Sequence, residues 1–351
     1  MRALSLLVTA AAAGGACGAG CCVWSGPQYQ GPKSDHFDGE NFFVAGVQQQ
    51  GAGGLFKWLR ARQHGPWRDF EDLPPWPRPP ARVGLGELRV TFVNHATTLI
   101  QVDGLNVLTD PIWSERASPV SWAGPRRVRP PGLRFEDLPP IDVVLVSHSH
   151  YDHLDLPTLV RIARAFPRAH FYVGLGVAPL LAQQHIRNVR ELDWWQELKL
   201  GVVTLAAVPA QHFSNRGLCD RDYTLFAGYV LRGPAGAVFF AGDTGYGPHF
   251  RAIGQKYGPL RLAILPIGAY KPEWFMGPIH LSPAQAVQAH DDLRAQTSVA
   301  IHFGTFDLGD DGQDEPPLAL ARALAAQPVA HPAARFWVLG FGEGRDVPPL
   351  E

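Results

Sequence analysis

The segment Ser147-His148-Ser149-His150-Tyr151-Asp152-His153-Leu154-Asp155 sets three imidazoles and a carboxylate close together, directly after the apolar run Val143-Val144-Leu145-Val146. Neutral imidazole nitrogens and carboxylate oxygens are the donors that transition metals take from proteins, so this cluster points to metal binding and metal-assisted reaction. His148 and His150 are two residues apart. In extended chain leaving a strand they project to one side and can share an ion. Asp152 and His153 lie just beyond, where a turn can aim them at a second ion. The alternative, a polar strand-to-helix turn that happens to be rich in histidine, fits poorly with four donors in H-x-H-x-D-H order.

One cluster does not complete two metal shells, and other apolar runs end in the same way. Val202 to Ala210 runs into Gln211-His212, Ala237 to Gly242 into Asp243, and Ser298 to Ile301 into His302. Four apolar runs that each terminate in candidate donors suit loops gathered along one edge of buried sheets. His212 or His302 alone would read as a satisfied structural histidine. The repeated placement reverses that reading.

Further stretches accompany these donors: Asn94-His95-Ala96-Thr97, Thr109-Asp110-Pro111, Pro209 to His212, Phe240 to Tyr246, Pro266 to Tyr270, Trp274 to Met276, and Ile301 to Phe306. With the H-x-H-x-D-H segment, and over roughly residues 85 to 345, the chain resembles the metallo-β-lactamase fold. Within that fold it is similar to the N-acylphosphatidylethanolamine-hydrolysing phospholipases D and their bacterial relatives.

The resemblance implies an α/β protein built as a four-layer α-β-β-α sandwich, with two β-rich halves meeting at a site for two zinc ions. It implies His148, His150 and His212 on one zinc, Asp152, His153 and His302 on the other, and Asp243 bridging both. His150 stands where redox di-iron members of the fold carry a carboxylate, which favours hydrolysis. Two such ions would lower the pKa of a bridging water and neutralise charge on the substrate, so that a phosphodiester could be cleaved without a protein nucleophile. Asp152 and His280 are the candidate catalytic residues, His280 for proton transfer or phosphate contact, and His95 has a similar standing. Two other classes stay open: a lactonase or other esterase resembling the L-ascorbate phosphate lactonases, expected to show a small polar pocket, and a non-catalytic envelope binding protein.

The elements around these residues are partly legible. His280 precedes Leu281-Ser282-Pro283-Ala284-Gln285, a helix entry with Ser282 at the cap, Pro283 at the first helical position and Gln285 closing a capping box. Pro157 to Phe166 and Pro283 to Leu293 are amphipathic. Asp110 and Asp155 read equally well as acceptors for ligand histidines and as turn or helix-start residues. Tyr270, Trp274, Phe275 and Met276 could wall an apolar substrate groove or serve ordinary packing.

A chain of 351 residues with 46% hydrophobic content can bury a large core, and 37 glycines and 32 prolines suit many strands and loops. The formal net charge of -1 provides no basic field for nucleic acid. A phospholipid or other ester substrate and a membrane surface are the candidate partners. Residues 1–22 read as an export or lipoprotein-like signal, with Cys17 or Cys21 as the lipidated residue, which places the protein in the cell envelope, periplasmic or lipid-anchored. Three of the four cysteines fall there, leaving Cys219 alone and predicting no structural disulfide framework. Residues 23–82 form an irregular extension ending in the Pro-rich Leu73 to Pro80. Within it Gly54 to Arg62 reads as a helix docked on the sheet, in preference to one lying on lipid. Residues 83–351 form the catalytic domain.

Overall fold

The computed structural model describes residue 22 and residues 24–326 and 335–351. Cys17 and Cys21 lie outside the described residues.

Two seven-stranded sheets form the centre. The first is built from β1 (Leu88–Asn94), β2 (Thr97–Val102), β3 (Leu105–Thr109), β4 (Val143–Val146), β5 (His170–Gly174) and β6 (Val189–Leu192) in sequence order. The C-terminal β14 (Gly344–Asp346) returns to pair with β1. The second has the order β13-β12-β11-β10-β9-β8-β7, made of β7 (Glu197–Leu200), β8 (Val203–Pro209), β9 (Ala227–Gly233), β10 (Gly236–Phe240), β11 (Leu260–Pro266), β12 (Ala295–Ile301) and β13 (Arg335–Trp337). The four-layer reading holds, because helices cover the outside of both sheets.

The strands show why their sequences are continuously apolar. Along β4, Val143 and Leu145 join the large core shared by both sheets, whereas Val144 and Val146 join a second core under α2 (Leu156–Ala165) and α3 (Ala178–Gln183). Successive side chains of a strand point to opposite faces, so a strand covered on both sides must be apolar at every position. The same split puts Ile100 and Val107 in the first core and Leu99 and Leu108 in the second. On the other sheet, α4 (His249–Tyr257) and α6 (Pro283–Asp292) extend the shared core through Phe250, Ile253 and Val287.

Topology then decides where donors can meet. β8 is antiparallel to β9 and β9 to β10, so β8 and β10 run the same way, and β10, β11 and β12 are mutually parallel. The C-terminal ends of β8, β10 and β12, which lead into His212, Asp243 and His302, therefore open onto one rim. Two contacts bring the first sheet to that rim: Ala227 N donates to Ser147 O at 2.9 Å, and His302 N donates to His95 O at 2.7 Å. The hydroxyl of Tyr229, fully buried, donates to Val146 O at 2.9 Å.

The N-terminal extension is docked. Helix α1 (Ala52–Ala61) buries Leu55 and Trp58 against Met276 and Ile279. The Trp58 indole stacks on Phe275 and donates to Asp310 Oδ1 at 3.0 Å. One expectation is corrected: Cys219 does not stand alone, because it forms a disulfide with Cys22, 197 residues away in sequence. The count of cysteines in the leader missed this, since pairing depends on where the extension lies on the domain. Gly26 N and Tyr29 N, which donate to Asp220 Oδ2 and Tyr223 O, hold it beside the 210–224 loop.

Candidate metal centre

The loop after β4 folds back on itself, with His153 N and Leu154 N both donating to His150 O. This turn sets the His153 ring 4.2 Å from that of His148, with Asp152 Oδ2 3.2 Å from His153 Nε2. Asp243 follows Gly242, whose φ of 61° is left-handed and at which a Cβ would lie 2.4 Å from Ser147 Cβ. Only glycine lets the chain leave β10 at this point and pass so close to the histidine-bearing loop. His95, Asp110, Ala269 and His302 also have φ between 33° and 63°. Left-handed backbone at non-glycine residues is costly, and such residues concentrate at functional sites.

All seven predicted donors come together. His148 Nε2 and His150 Nδ1 are 2.7 Å apart, and His150 Nδ1 is 3.3 Å from His212 Nε2. On the other side, His153 Nε2 lies 3.2 Å from Asp152 Oδ2 and 3.1 Å from Asp243 Oδ2, and His302 Nε2 lies 3.5 Å and 3.1 Å from the same two oxygens. Asp243 Oδ2 is also 3.9 Å from His212 Nε2, which places it between the two groups. Donors about 2.0–2.1 Å from a tetrahedral ion are roughly 3.3 Å from one another, and these separations bracket that value.

The ring nitrogens turned away from the centre are held. His148 Nδ1 meets Ser147 Oγ at 2.9 Å, and His212 Nδ1 donates to Ile279 O at 2.8 Å. His150 Nε2 donates to Asn215 Oδ1 at 2.8 Å, and His153 Nδ1 to Asp110 Oδ2 at 2.6 Å. Such partners orient a ligand imidazole and set which nitrogen faces the metal. Asp110 is therefore a partner of a donor histidine, and it also accepts from Ser147 N and Oγ. Asp155 is not: it accepts from Ser114 and from the Thr158 hydroxyl at the start of α2.

Against this order, His153 Nε2, His302 Nε2, Asp243 Oδ1 and His280 Nδ1 are buried with no hydrogen-bond partner. Buried polar atoms are normally paired, and a metal ion is the partner that would satisfy several at once. The donor set thus fits the ions that the fold implies. His280 Nδ1 faces the same centre, 3.8 Å from Asp243 Oδ2, on the loop held by α6, whose Ser282–Gln285 capping box forms as predicted. His95 Nε2 donates to Asp152 Oδ2 at 2.9 Å.

Burial, reinforced by neighbouring imidazoles, holds the pKa of His148 well below the ordinary value; burial likewise outweighs Asp243 to hold down His212, and it pushes His150 and His280 down to about 4. These rings are neutral near pH 7, as metal ligands must be. For His302 burial acts the same way, but the adjacent Asp243 and Asp152 carboxylates outweigh it and lift the ring to about 9. His153 is raised as well, its burial outweighed by Asp243, Asp152 and Asp110. Both are protonated near pH 7 without metal, so coordination must expel their protons. Zinc added to metal-free protein at pH 7 in weak buffer is expected to release protons, with affinity rising as pH approaches 9. An indicator dye that records no release would show that these rings do not ligate.

Above the donors lies a groove with about 150 Å³ of internal space. Leu55, Trp58, Phe275, Met276, Ile279 and Leu308 wall it, and His150, Asp152, Asp243, His280 and His302 reach its floor. Of the four predicted groove residues, Phe275 and Met276 line it. Tyr270 is instead buried with its hydroxyl on Glu315, and Trp274 faces outward at 42% exposure. Sequence reading missed Gln49, Phe213, Asn215, Arg216 and Arg221, which also line the groove. The one available signal was that Phe213 to Arg216 follow directly on a donor histidine.

A family model described as beta-lactamase superfamily domain matches residues 105–303. The N-acyl-phosphatidylethanolamine-hydrolyzing phospholipase D 1 of Caenorhabditis elegans is 42% identical over 232 residues, 63% of this chain, and the match spans 65% of that relative's length. An uncharacterized protein of Mycobacterium tuberculosis is 40% identical over 282 residues, covering 79% of this chain and 74% of that one. Igni18, a metallo hydrolase from the archaeon Ignicoccus hospitalis, shares the fold with a TM-score of 0.56 at 24% identity, over 75% of this chain and 99% of that one. With two stacked sheets, a buried His/Asp centre on their common rim and this family match, the chain belongs to the metallo-β-lactamase superfamily and is a metal-dependent hydrolase.

Proposed function

We propose that the protein is a di-zinc phosphodiesterase of the phospholipase D type, acting on N-acylphosphatidylethanolamine or a related phospholipid. The observation that carries this reading is the joining of a His/Asp donor set to a groove whose walls are mainly apolar. A lactonase acting on small polar esters would need a small polar pocket, and the walls formed by Leu55, Trp58, Phe275 and Met276 do not suit one. The similarity to the Caenorhabditis elegans phospholipase supports the same substrate class.

In this reading His148, His150 and His212 hold one ion and Asp152, His153 and His302 the other, with Asp243 between them. When bound, the ions supply an activated water and neutralise charge that builds on the phosphate oxygens. The chain's own residues do the rest. His95 and Asp110 hold Asp152 and His153 in position, the apolar walls seat acyl chains and exclude bulk water, and neutral His280 is placed to accept or return a proton at Nδ1. The Cys22–Cys219 disulfide, a bond that persists in oxidising compartments, supports placing the activity in the cell envelope.

The test is incubation of the zinc-loaded full chain with micellar N-acylphosphatidylethanolamine, following phosphatidic acid and N-acylethanolamine by mass spectrometry. Both products are expected, and neither from protein stripped by a chelator. Absence of product despite two bound ions would overturn the substrate assignment.

A further inference from the structure

Among the residues lining the groove, Arg216 and Arg221 carry the permanent positive charges. Arg216 is committed to the scaffold. It is 8% exposed, its Nη1 donates to the carbonyls of Ser149 at 2.8 Å and Leu154 at 2.9 Å, and its guanidinium lies 3.9 Å over the Tyr151 ring.

Arg221 is placed differently. Its side chain is 32% exposed, and its Cζ lies 4.3 Å over the Phe213 ring, which itself packs edge-on to His150 at 4.4 Å. Nη2 donates to Oε1 of Gln49, whose own Nε2 donates to His212 O at 2.7 Å. Nε faces Asp222 Oδ2 at 3.4 Å. The guanidinium is thus fixed on three sides, by the N-terminal extension, an aromatic face and a carboxylate, and two of these supports lead directly to donor histidines. None of the hydrogen bonds among the described residues uses its Nη1. A planar fork with one arm held and the other free beside a buried reaction centre is suited to recognising an oxyanion.

We propose that Arg221, aimed by Gln49, is the anion-recognition residue of the groove, donating from Nη1 to a non-bridging oxygen of a bound phosphate and so selecting phosphate-bearing ligands over neutral esters. This deepens the phosphodiesterase reading and rests on it for the identity of the anion. The role is one of specificity: the reacting atoms belong to the centre, and Arg221 holds charge that a neutral ester lacks.

The first measurement is calorimetric titration of inorganic phosphate into the zinc-loaded full chain, which needs no turnover. Arg221→Gln is expected to weaken phosphate binding about tenfold and Arg221→Lys less, as fits one charge-assisted hydrogen bond. Gln49→Ala keeps the charge but removes the aim, so a smaller loss, about threefold, is expected there, and this variant serves should Arg221→Gln not fold. The second measurement is the ratio of kcat/KM for bis(4-nitrophenyl) phosphate to that for 4-nitrophenyl acetate, expected to fall about tenfold in Arg221→Gln. Phosphate affinity within twofold of wild type in a variant with unchanged Tm and metal content would overturn the proposal, and so would an equal loss on both substrates. Wild-type protein that binds phosphate through Arg221 but cleaves no phosphodiester would instead overturn the proposed activity and leave anion recognition standing.

Discussion

Asp243→Asn is expected to lower hydrolysis by about a thousandfold or more and to reduce bound metal below two ions per chain. Asp243 Oδ2 lies 3.1 Å from both His153 Nε2 and His302 Nε2 and 3.9 Å from His212 Nε2, so one oxygen faces both halves of the centre. Burial alone would raise this carboxyl, yet the charges of His153 and His302 hold it well below the usual range. It is therefore held as an anion near neutral pH, as the proposed bridging role requires. The amide has nearly the same shape but no charge, so its neutral oxygen holds two cations far less well than the carboxylate. Metal analysis and turnover should fall together. A variant with two bound ions and wild-type rate would show that Asp243 has only a structural role.

The second large effect falls on a residue that touches no substrate. Asp110→Asn is expected to weaken metal binding about 10- to 100-fold while the fold persists. Asp110 is fully buried in the turn after β3, and its Oδ2 accepts from both His153 Nδ1 at 2.6 Å and Ser147 Oγ at 2.6 Å. An asparagine can keep the bond from Ser147 N through its carbonyl oxygen. Its amide group then presents donors where His153 Nδ1–H needs an acceptor. The favoured escape is the other His153 tautomer, with its proton on Nε2, the nitrogen that faces Asp243 and Asp152. Competition with a chelator measures the loss. Asp155→Asn provides the contrast, because Asp155 contacts Ser114 and Thr158 and no donor histidine, and its effect should appear in stability instead.

That contrast marks where sequence reading reached its end. Asp110 and Asp155 each lie next to recognisable turn chemistry, and nothing in their spacing separates them. The choice was made by the packing of β3 beside β4, which brings Asp110 under the histidine loop. The docked α1 was legible as an amphipathic segment, but not that Leu55 and Trp58 would wall the groove. Cys22 and Cys219 were misread for the same reason: a pairing across 197 residues depends on the path of the extension over the finished domain.

By itself the sequence determined the candidate donors and the ends of the elements that carry them. Strand and helix periodicity, caps and strand-terminal polar residues are local properties of the chain, written within a few positions of one another. His148 to His153, His212, Asp243 and His302 could be read because each follows its own apolar run. Only the tertiary structure decided which second residues hold those donors, what walls the groove and which cation faces it. These are contacts between segments far apart in sequence, where no periodicity relates one partner to the other, and they exist only once two sheets, their helices and the N-terminal extension have packed.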